Sequence, residues 1–409
     1  MHARHVFVSS VFLFVLALCI VALLPPQGSP SPRSFFQPRQ PPAINSKGST
    51  EHGRAGGSGC DYSDGRWVRD AAAGTTAYKE DCPFLDPGFR CMRNGRRDMS
   101  FRGWRWQPHR CNLPKFNATE MLERSRNGRI VFAGDSIGRN QWESMVCMLA
   151  VAAPAGGVRE QSGKPISRHK GYLSMVFAEY NLSVEYYRAP MIVRIDRVPA
   201  ANDGVRGAVR LDVLPRHADR WAGADVLVLN TGHWWNPHKT VKAGNYFMVG
   251  NHLNKTMGIR EAFRLSLQTV KAWELSSSRF FRSYFFFRSY SPSHYINGTW
   301  DTGGSCADQR EPLTKDNHFG EEHSWINEMI AETTEGIKNH GRKAQFLNIT
   351  SMTELRPDGH PSRHREPGTP PDAPEDCSHW CLPGVPDVWN QVLYAHLLSM
   401  GYSTRRKDR

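Results

Sequence analysis

Three side chains, far apart in the chain, have the types that acyl transfer requires. Ser136 stands in the run Gly134-Asp135-Ser136, and Asp376 and His379 lie three residues apart in "EDCSHWC". A serine hydroxyl is a weak nucleophile at neutral pH. It needs a base within hydrogen-bond reach, and the base needs a group to orient it. A carboxylate three residues before an imidazole, on one loop or first helical turn, can hold the ring in the tautomer that accepts the serine proton. The pattern therefore reads as nucleophile, orienting carboxylate and base. Taken singly, each part has a plainer reading. Gly-Asp-Ser suits a turn or helix cap, Asp376 a surface cap, and His379 a structural histidine. Finding the two motifs together favours catalysis.

These residues need elements to hold them. "RIVFAG" (129–134) is a short, β-branched apolar run, and the segment after Ser136 carries Ile137, Trp142, Met145, Val146 and Leu149 at helical spacing. Ser136 is thus expected at a strand-to-helix turn. "ADVLVLNTG" (224–232) repeats the logic and puts Asn230 at a strand end. Further strands are expected in 282–291 and 343–349, and a helix over 258–275. Strands alternating with helices predict an α/β domain with a mostly parallel sheet, whose sites form at the carboxyl ends of strands.

Other residues near these motifs are candidates with two readings each. His233 could act as a rival base, but "NTGHWW" better suits a sugar-binding wall of His233, Trp234 and Trp235; the tryptophans fit a core equally well. Arg139, one turn after Ser136, reads either as a binder of an anionic donor or substrate or as a helix-surface arginine. Cys377, His379 and Cys381 have zinc-like types, yet no second ligand pair follows at suitable spacing, so no metal is expected.

The compartment is read from the N-terminus. Val6 to Leu24 is an uncharged run of 19 residues, and about 20 apolar residues span a bilayer as helix. A signal peptide has a shorter apolar stretch of roughly 7 to 15 residues, so an uncleaved anchor is favoured. Arg4 precedes it, which keeps residues 1–5 cytosolic and the remainder lumenal. Residues 25–59, rich in Pro, Gly and Ser, form a flexible stem. Residues 60–409 form the catalytic domain, with a Cys- and Trp-rich subregion at 60–115 and an α/β core over 128–400. Sequons at Asn117, Asn181, Asn254, Asn297 and Asn348 fit a glycosylated lumenal protein. Eight cysteines follow the anchor: Cys60, Cys82, Cys91, Cys111, Cys147, Cys306, Cys377 and Cys381. In an oxidising compartment they imply four disulfides, with about 105 pairings open.

The chain is 409 residues long with a formal charge of +13. The basic residues are scattered apart from a short tail at 405–409, and no nucleic-acid-binding motif accompanies them. A solvated basic surface is the plainer reading, and an acidic polysaccharide the next.

The segments "CDYSDGRWV", "NGRRD", "WRWQPHRCNLPKFN", "GDSIGRNQWESMVCML", "NTGHWWN", "FFFRSYSPSHY" and "DCSHWCLPGVPDVWNQVLY" together resemble the plant trichome birefringence-like proteins, polysaccharide O-acetyltransferases with an SGNH-hydrolase-like (GDSL) fold. The likeness runs from Cys60 to about Met400. Arg97 departs from it, where Pro is expected, outside the catalytic motifs. The resemblance implies a three-layer SGNH-like domain with a disulfide-stapled N-terminal segment. It also implies Ser136 as the acetylated nucleophile, His379 as base, Asp376 as its orienter, and Asn230 with backbone N–H groups as oxyanion donors. The implied pairings are Cys60–Cys111, Cys82–Cys147, Cys91–Cys381 and Cys306–Cys377. The expected enzyme is a Golgi, single-pass, type II acetyltransferase acting on a cell-wall polysaccharide. Xylan is the first acceptor, pectin the second, and an acetyl esterase or a polysaccharide-binding protein the alternatives. Acetyl-CoA is the simplest donor, used as a co-substrate with no bound cofactor.

Overall fold

Extended apolar runs must pair their backbone N–H and C=O groups with one another, and among the described residues thirteen strands do so. The computed structural model describes residues 60–70, 78–161, 171–197, 204–276, 278–314, 324–405. The expected tail, anchor and stem (1–59), and most of the basic C-terminal tail, lie outside these residues. Among the described residues no helix is long and apolar enough to cross a membrane. In chain order the first strands are β1 (Gly65–Arg69), β2 (Trp104–Pro108), β3 (Arg129–Gly134), β4 (Val158–Glu160), β5 (Tyr172–Phe177) and β6 (Leu182–Arg188). There follow β7 (Arg194–Arg197), β8 (Gly207–Arg210), β9 (Val226–Asn230), β10 (Asn245–Val249), β11 (His252–Asn254), β12 (Tyr284–Arg288) and β13 (Lys343–Leu347).

The main sheet has seven strands in the order β13-β12-β9-β3-β6-β5-β4. The five from β13 to β6 run parallel, and β5 and β4 extend the edge antiparallel. From β3 the chain builds β6 on one side, then crosses to β9 on the other. The order therefore reverses between β3 and β9, and in open α/β sheets a crevice forms at such a point, beyond the carboxyl ends of the strands. Gly134 ends β3 and Asn230 ends β9, so both border that crevice.

Parallel strands covered on both faces are apolar throughout, and alternate residues feed two separate cores. Ile130, Phe132, Val226, Val228 and Phe286 join one; Val131, Ala133, Leu227, Leu229, Phe285 and Phe287 join the other. The first core is closed by helices α1 (Ala118–Arg124), α2 (Ser136–Ala150) and, after the helices named next, α6 (Val385–Ser399). The second core takes in α3 (Ile259–Ser276), α4 (Ser324–Lys338) and a small sheet ordered β11-β10-β8-β7. A short helix, α5 (Thr350–Glu354), follows β13 and packs Met352 into the first core. The chain thus forms a three-layer α/β domain with a mostly parallel sheet. The expected strands near 129–134, 224–232, 282–291 and 343–349 are β3, β9, β12 and β13, and the expected helix over 258–275 is α3.

The N-terminal subregion has little regular structure: the β1–β2 ribbon and cysteine links. Disulfides join Cys60 to Cys111, Cys82 to Cys147, Cys91 to Cys381, and Cys306 to Cys377. The second ties this subregion to α2. The third ties it to the segment just after His379, across 290 residues of sequence. Closing so long a loop restricts the unfolded chain strongly. Replacing Cys91 and Cys381 together by Ala is therefore expected to lower unfolding stability by about 2–5 kcal/mol. Chemical denaturation of the full chain measures this, and an unchanged midpoint would contradict it.

Candidate active site

Helix α2 begins at Ser136 because Asp135 caps it. Asp135 Oδ1 accepts from the backbone N–H of Ile137 at 2.9 Å and Gly138 at 3.3 Å, which fixes the Gly-Asp-Ser turn. Ser136 is exposed, while residues 137–149 of its helix are all buried. Its hydroxyl thus stands at the crevice, on the N-terminal end of a helix whose remaining length is locked in the core.

Asn230, at the end of the neighbouring strand, is 3% exposed and donates from Nδ2 to Asp135 Oδ1 at 2.6 Å. Its carboxamide fills the space that a side chain at Gly134 or Gly138 would need. Glycine at those two positions is what lets β9 press an amide into the turn. The structure thus brings Asn230 to the residue before Ser136. Behind the same turn lies Arg288, the last residue of β12, 1% exposed. It donates to the carbonyl of Ile137 at 3.3 Å and stacks over Trp389 at 5.0 Å. Burial pulls its guanidinium down to about 10, while the charge of Asp135 works the other way.

Asp376 and His379 share a loop that leads into α6. Asp376 Oδ2 accepts from His379 Nδ1 at 2.9 Å, and Asp376 Oδ1 accepts from the backbone N–H of His379 at 3.0 Å. The bond at Nδ1 leaves Nε2 as the nitrogen available for proton transfer. Burial opposes charge on both groups, but each is the partner the other needs. The Asp376 carboxylate is held well below the usual range, chiefly by His379. His379 is lifted above 6.5, chiefly by Asp376 and further by the field of Asp135.

Asn140, four residues after Ser136 and so on the same face of α2, joins this loop to that helix. Its Oδ1 accepts from the N–H of Trp380 at 2.8 Å, and its Nδ2 donates to the carbonyl of Trp380 at 3.2 Å. The residue beside His379 is thereby fastened to the second turn of the helix that Ser136 starts. Phe89, from the N-terminal subregion, lies against the His379 ring with centroids 5.6 Å apart.

The other candidates separate. Arg139 is neither a surface arginine nor open to an anion. It is 4% exposed, and its guanidinium is paired with Asp86 at 2.5 Å and Glu143 at 2.8 Å. Asp86 belongs to the N-terminal subregion, so this pair braces that region against α2. The two tryptophans after His233 part company. Trp235 is core, bonded to Thr231 Oγ1 and stacked on Phe247. Trp234 is half-buried, with Arg188 and Lys239 over its ring. Lys239 also lies over Trp300, which is 45% exposed. His233 is half-buried and stacks on Tyr290 at 4.4 Å. Cys306, Glu375 and Cys377 cluster near the loop, but the two sulfurs are bonded to each other and offer no thiolate to a metal. Of the sequon asparagines, Asn117, Asn181 and Asn297 are exposed; Asn254 and Asn348 are half-buried.

Sequence reasoning passed over Asn140, Gly138 and Arg288. A glycine inside a helical pattern, a polar residue one turn after Ser136, and a charge ending an apolar strand were the available signals.

Comparison with known proteins adds an independent finding. Residues 113–396 match the model of the GDSL/SGNH-like acyl-esterase family found in Pmr5 and Cas1p, and residues 58–112 match the PMR5 N-terminal domain. Over 353 residues, the chain is 54% identical to protein trichome birefringence-like 9 of Arabidopsis thaliana, with 85% of each covered. It is 40% identical over 346 residues to trichome birefringence-like 6 of the same plant, covering 83% of this chain and 70% of that one.

The packing of Asn230 gives a test with opposed signs. In an ordinary exposed helix, Gly→Ala stabilises by up to about 1 kcal/mol. Gly138→Ala should instead destabilise by about 1–3 kcal/mol, because the new methyl displaces the Asn230 amide. A raised thermal midpoint would show that the amide moves aside freely.

Proposed function

Since the chain belongs to the trichome birefringence-like family, with its GDSL/SGNH-like acyl-esterase domain, we propose that it transfers acetyl groups to a plant cell-wall polysaccharide through Ser136, His379 and Asp376. One observation carries this reading: the loop bearing Asp376 and His379 is fastened by Asn140 to the helix that Ser136 opens. His379 Nε2 takes the Ser136 proton as Oγ attacks the acetyl carbonyl. The tetrahedral oxyanion is met by the backbone N–H of Ser136 and by the second N–H of the Asn230 amide, since those of Ile137 and Gly138 serve the Asp135 cap. The donor's leaving group takes the proton from His379 and departs, leaving an acetyl ester on Ser136. A sugar hydroxyl then gives its proton to His379 and attacks that ester; as the bond to Oγ breaks, His379 returns the proton to Ser136. Asp376 keeps Nδ1 protonated throughout and balances the imidazolium.

Acetyl-CoA is the first donor to test. Trp300, 45% exposed, can stack on a sugar ring, and Trp234 shares Lys239 with it. Xylan is the first acceptor, and a rhamnogalacturonan backbone the second; the cations beside Trp234 suit the latter's carboxylates. Water as acceptor would make the same machinery an acetyl esterase, which the exposure of Ser136 permits. The apolar run at 6–24, the stem at 25–59 and the sequons fit a single-pass Golgi glycoprotein with its catalytic domain in the lumen.

The covalent step is checked by mass spectrometry of the full chain incubated with donor alone. An acetyl group on the Ser136 peptide, absent from Ser136→Ala, is the expected result. An unmodified Ser136 that nonetheless supports turnover would sink the mechanism. With oligosaccharides added, acetylated sugar marks a transferase and free acetate an esterase.

The pH dependence has a definite sign. His379 works as a base only when neutral, and its pKa is raised above 6.5. The acid limb of kcat/KM should therefore lie above 6.5, with activity falling as pH drops through it. Asp376→Asn should lower kcat by roughly 10⁴ and move that limb downward. A limb well below 6.5 in the parent enzyme would refute the assignment of His379.

A further inference from the structure

Beneath the His379 loop, two more histidines form a chain whose protons can be counted. His294 is 1% exposed and His360 2% exposed. His294 Nε2 lies 2.9 Å from the carbonyl oxygen of Glu354, and His360 Nδ1 lies 2.6 Å from the carbonyl oxygen of His379. Between the rings, His294 Nδ1 faces His360 Nε2 at 2.6 Å. A carbonyl oxygen only accepts, so each outer nitrogen must carry hydrogen. If both rings were neutral, the two inner nitrogens would present lone pairs to each other at 2.6 Å. The arrangement that satisfies all three contacts at once places a proton on one inner nitrogen as well. In that arrangement two rings hold three N–H hydrogens and carry one positive charge.

On this count we propose that His294 and His360 share one excess proton, and that this buried imidazole–imidazolium pair positions His379 through its carbonyl and restrains its basicity. Burial pushes both rings toward neutrality, His294 to about 4; the two carbonyl acceptors and the short inner bond oppose that push. Trp380 covers the pair, its ring 4.0 Å from that of His360. Several charged groups face it. From the N-terminal subregion Arg96 donates to the His360 carbonyl at 3.1 Å. Arg356 and Asp358 form a buried ion pair on the segment before His360. Asp376 and His379 lie across the loop, and both act on His360. The carboxylate of Asp376 supplies the negative charge that a buried cation requires.

The consequence concerns the base. Asp376 raises the pH at which His379 loses its proton, and while protonated the ring cannot accept the serine proton. A positive charge hydrogen-bonded to the carbonyl of His379 disfavours a second cation and returns His379 towards neutrality. His294 and His360 act here as positioning residues, since neither is placed against substrate. The role rests on His379 being the base, but the proton count does not.

The test has two arms. In the full chain in detergent micelles, labelled with ¹⁵N-histidine, long-range nitrogen–proton spectra at neutral pH should show three of the four ring nitrogens of this pair protonated, with one strongly low-field proton between the rings. Two unprotonated nitrogens in the pair would overturn the proposal, whether or not the chain has acetyl-transfer activity. The second arm uses His294→Gln, whose amide can donate both to the Glu354 carbonyl and to neutral His360. With the charge gone, the acid limb of kcat/KM should move up by about one pH unit. An unmoved limb would overturn the restraint on His379. The first arm needs no variant, so misfolding of the substituted chain does not remove the test.

Discussion

The arrangement depends on one carboxamide. Asn140 closes two hydrogen bonds onto the backbone of Trp380, spanning 240 residues of sequence. A buried peptide group left without partners costs about 1–3 kcal/mol per bond, so the loop at Trp380 has a strong reason to lie against α2 and nowhere else. That contact sets the distance between the part of the chain that bears a hydroxyl and the part that bears an imidazole. The Asp376–His379 bond, the Trp380 ring on His360, and the α6 helix all follow from where Trp380 sits. The same helix is fastened again further along, where Asn390 of α6 meets Gln141 and Ser144. The α2–α6 seam is therefore polar at its centre and apolar around it, which specifies one register rather than mere adhesion.

The central frame was legible because its strands are short apolar runs with few polar interruptions, ending in Gly-Asp-Ser and Asn-Thr-Gly. Those runs could hardly be anything but buried parallel strands once helical spacing was seen between them. The small sheet of β7, β8, β10 and β11 was not legible. Its strands have three to five residues each, mix charged and apolar types, and owe their pairing to the core beneath them. The same holds for β1 and β2, where Trp and Arg crowd into five-residue strands held by cysteine links. The antiparallel edge of β4 and β5 also gave no signal, since nothing in a strand's own sequence tells its direction.

Within the site, the candidate catalytic residues were easier to find than those that place them. Ser136, Asp376 and His379 belong to short motifs with a mechanism behind each letter. Arg139 misled because a cation one turn from a nucleophile looks like a substrate anchor; only the fold reveals Asp86 arriving from the N-terminal subregion to meet it. Trp234 and Trp235 looked alike in sequence because adjacent residues after a strand end can point to opposite sides, and here one faces the core while the other meets Arg188 and Lys239. His294 lies in the "SPSHY" run and His360 in an ordinary loop, and their relation exists only across the fold.

The Cys91–Cys381 link has a temporal meaning. Every strand of the main sheet is complete by Leu347, while the imidazole loop and α6 come after it. A chain emerging from synthesis can therefore lay down its whole sheet, with Ser136 just past the end of β3, before the loop of Asp376 and His379 exists. The last cysteine must then find a partner made 290 residues earlier, under oxidising conditions. The loop of Asp376 and His379 is thus the last part of the fold to be tied down, and its covalent tie needs conditions that form disulfides.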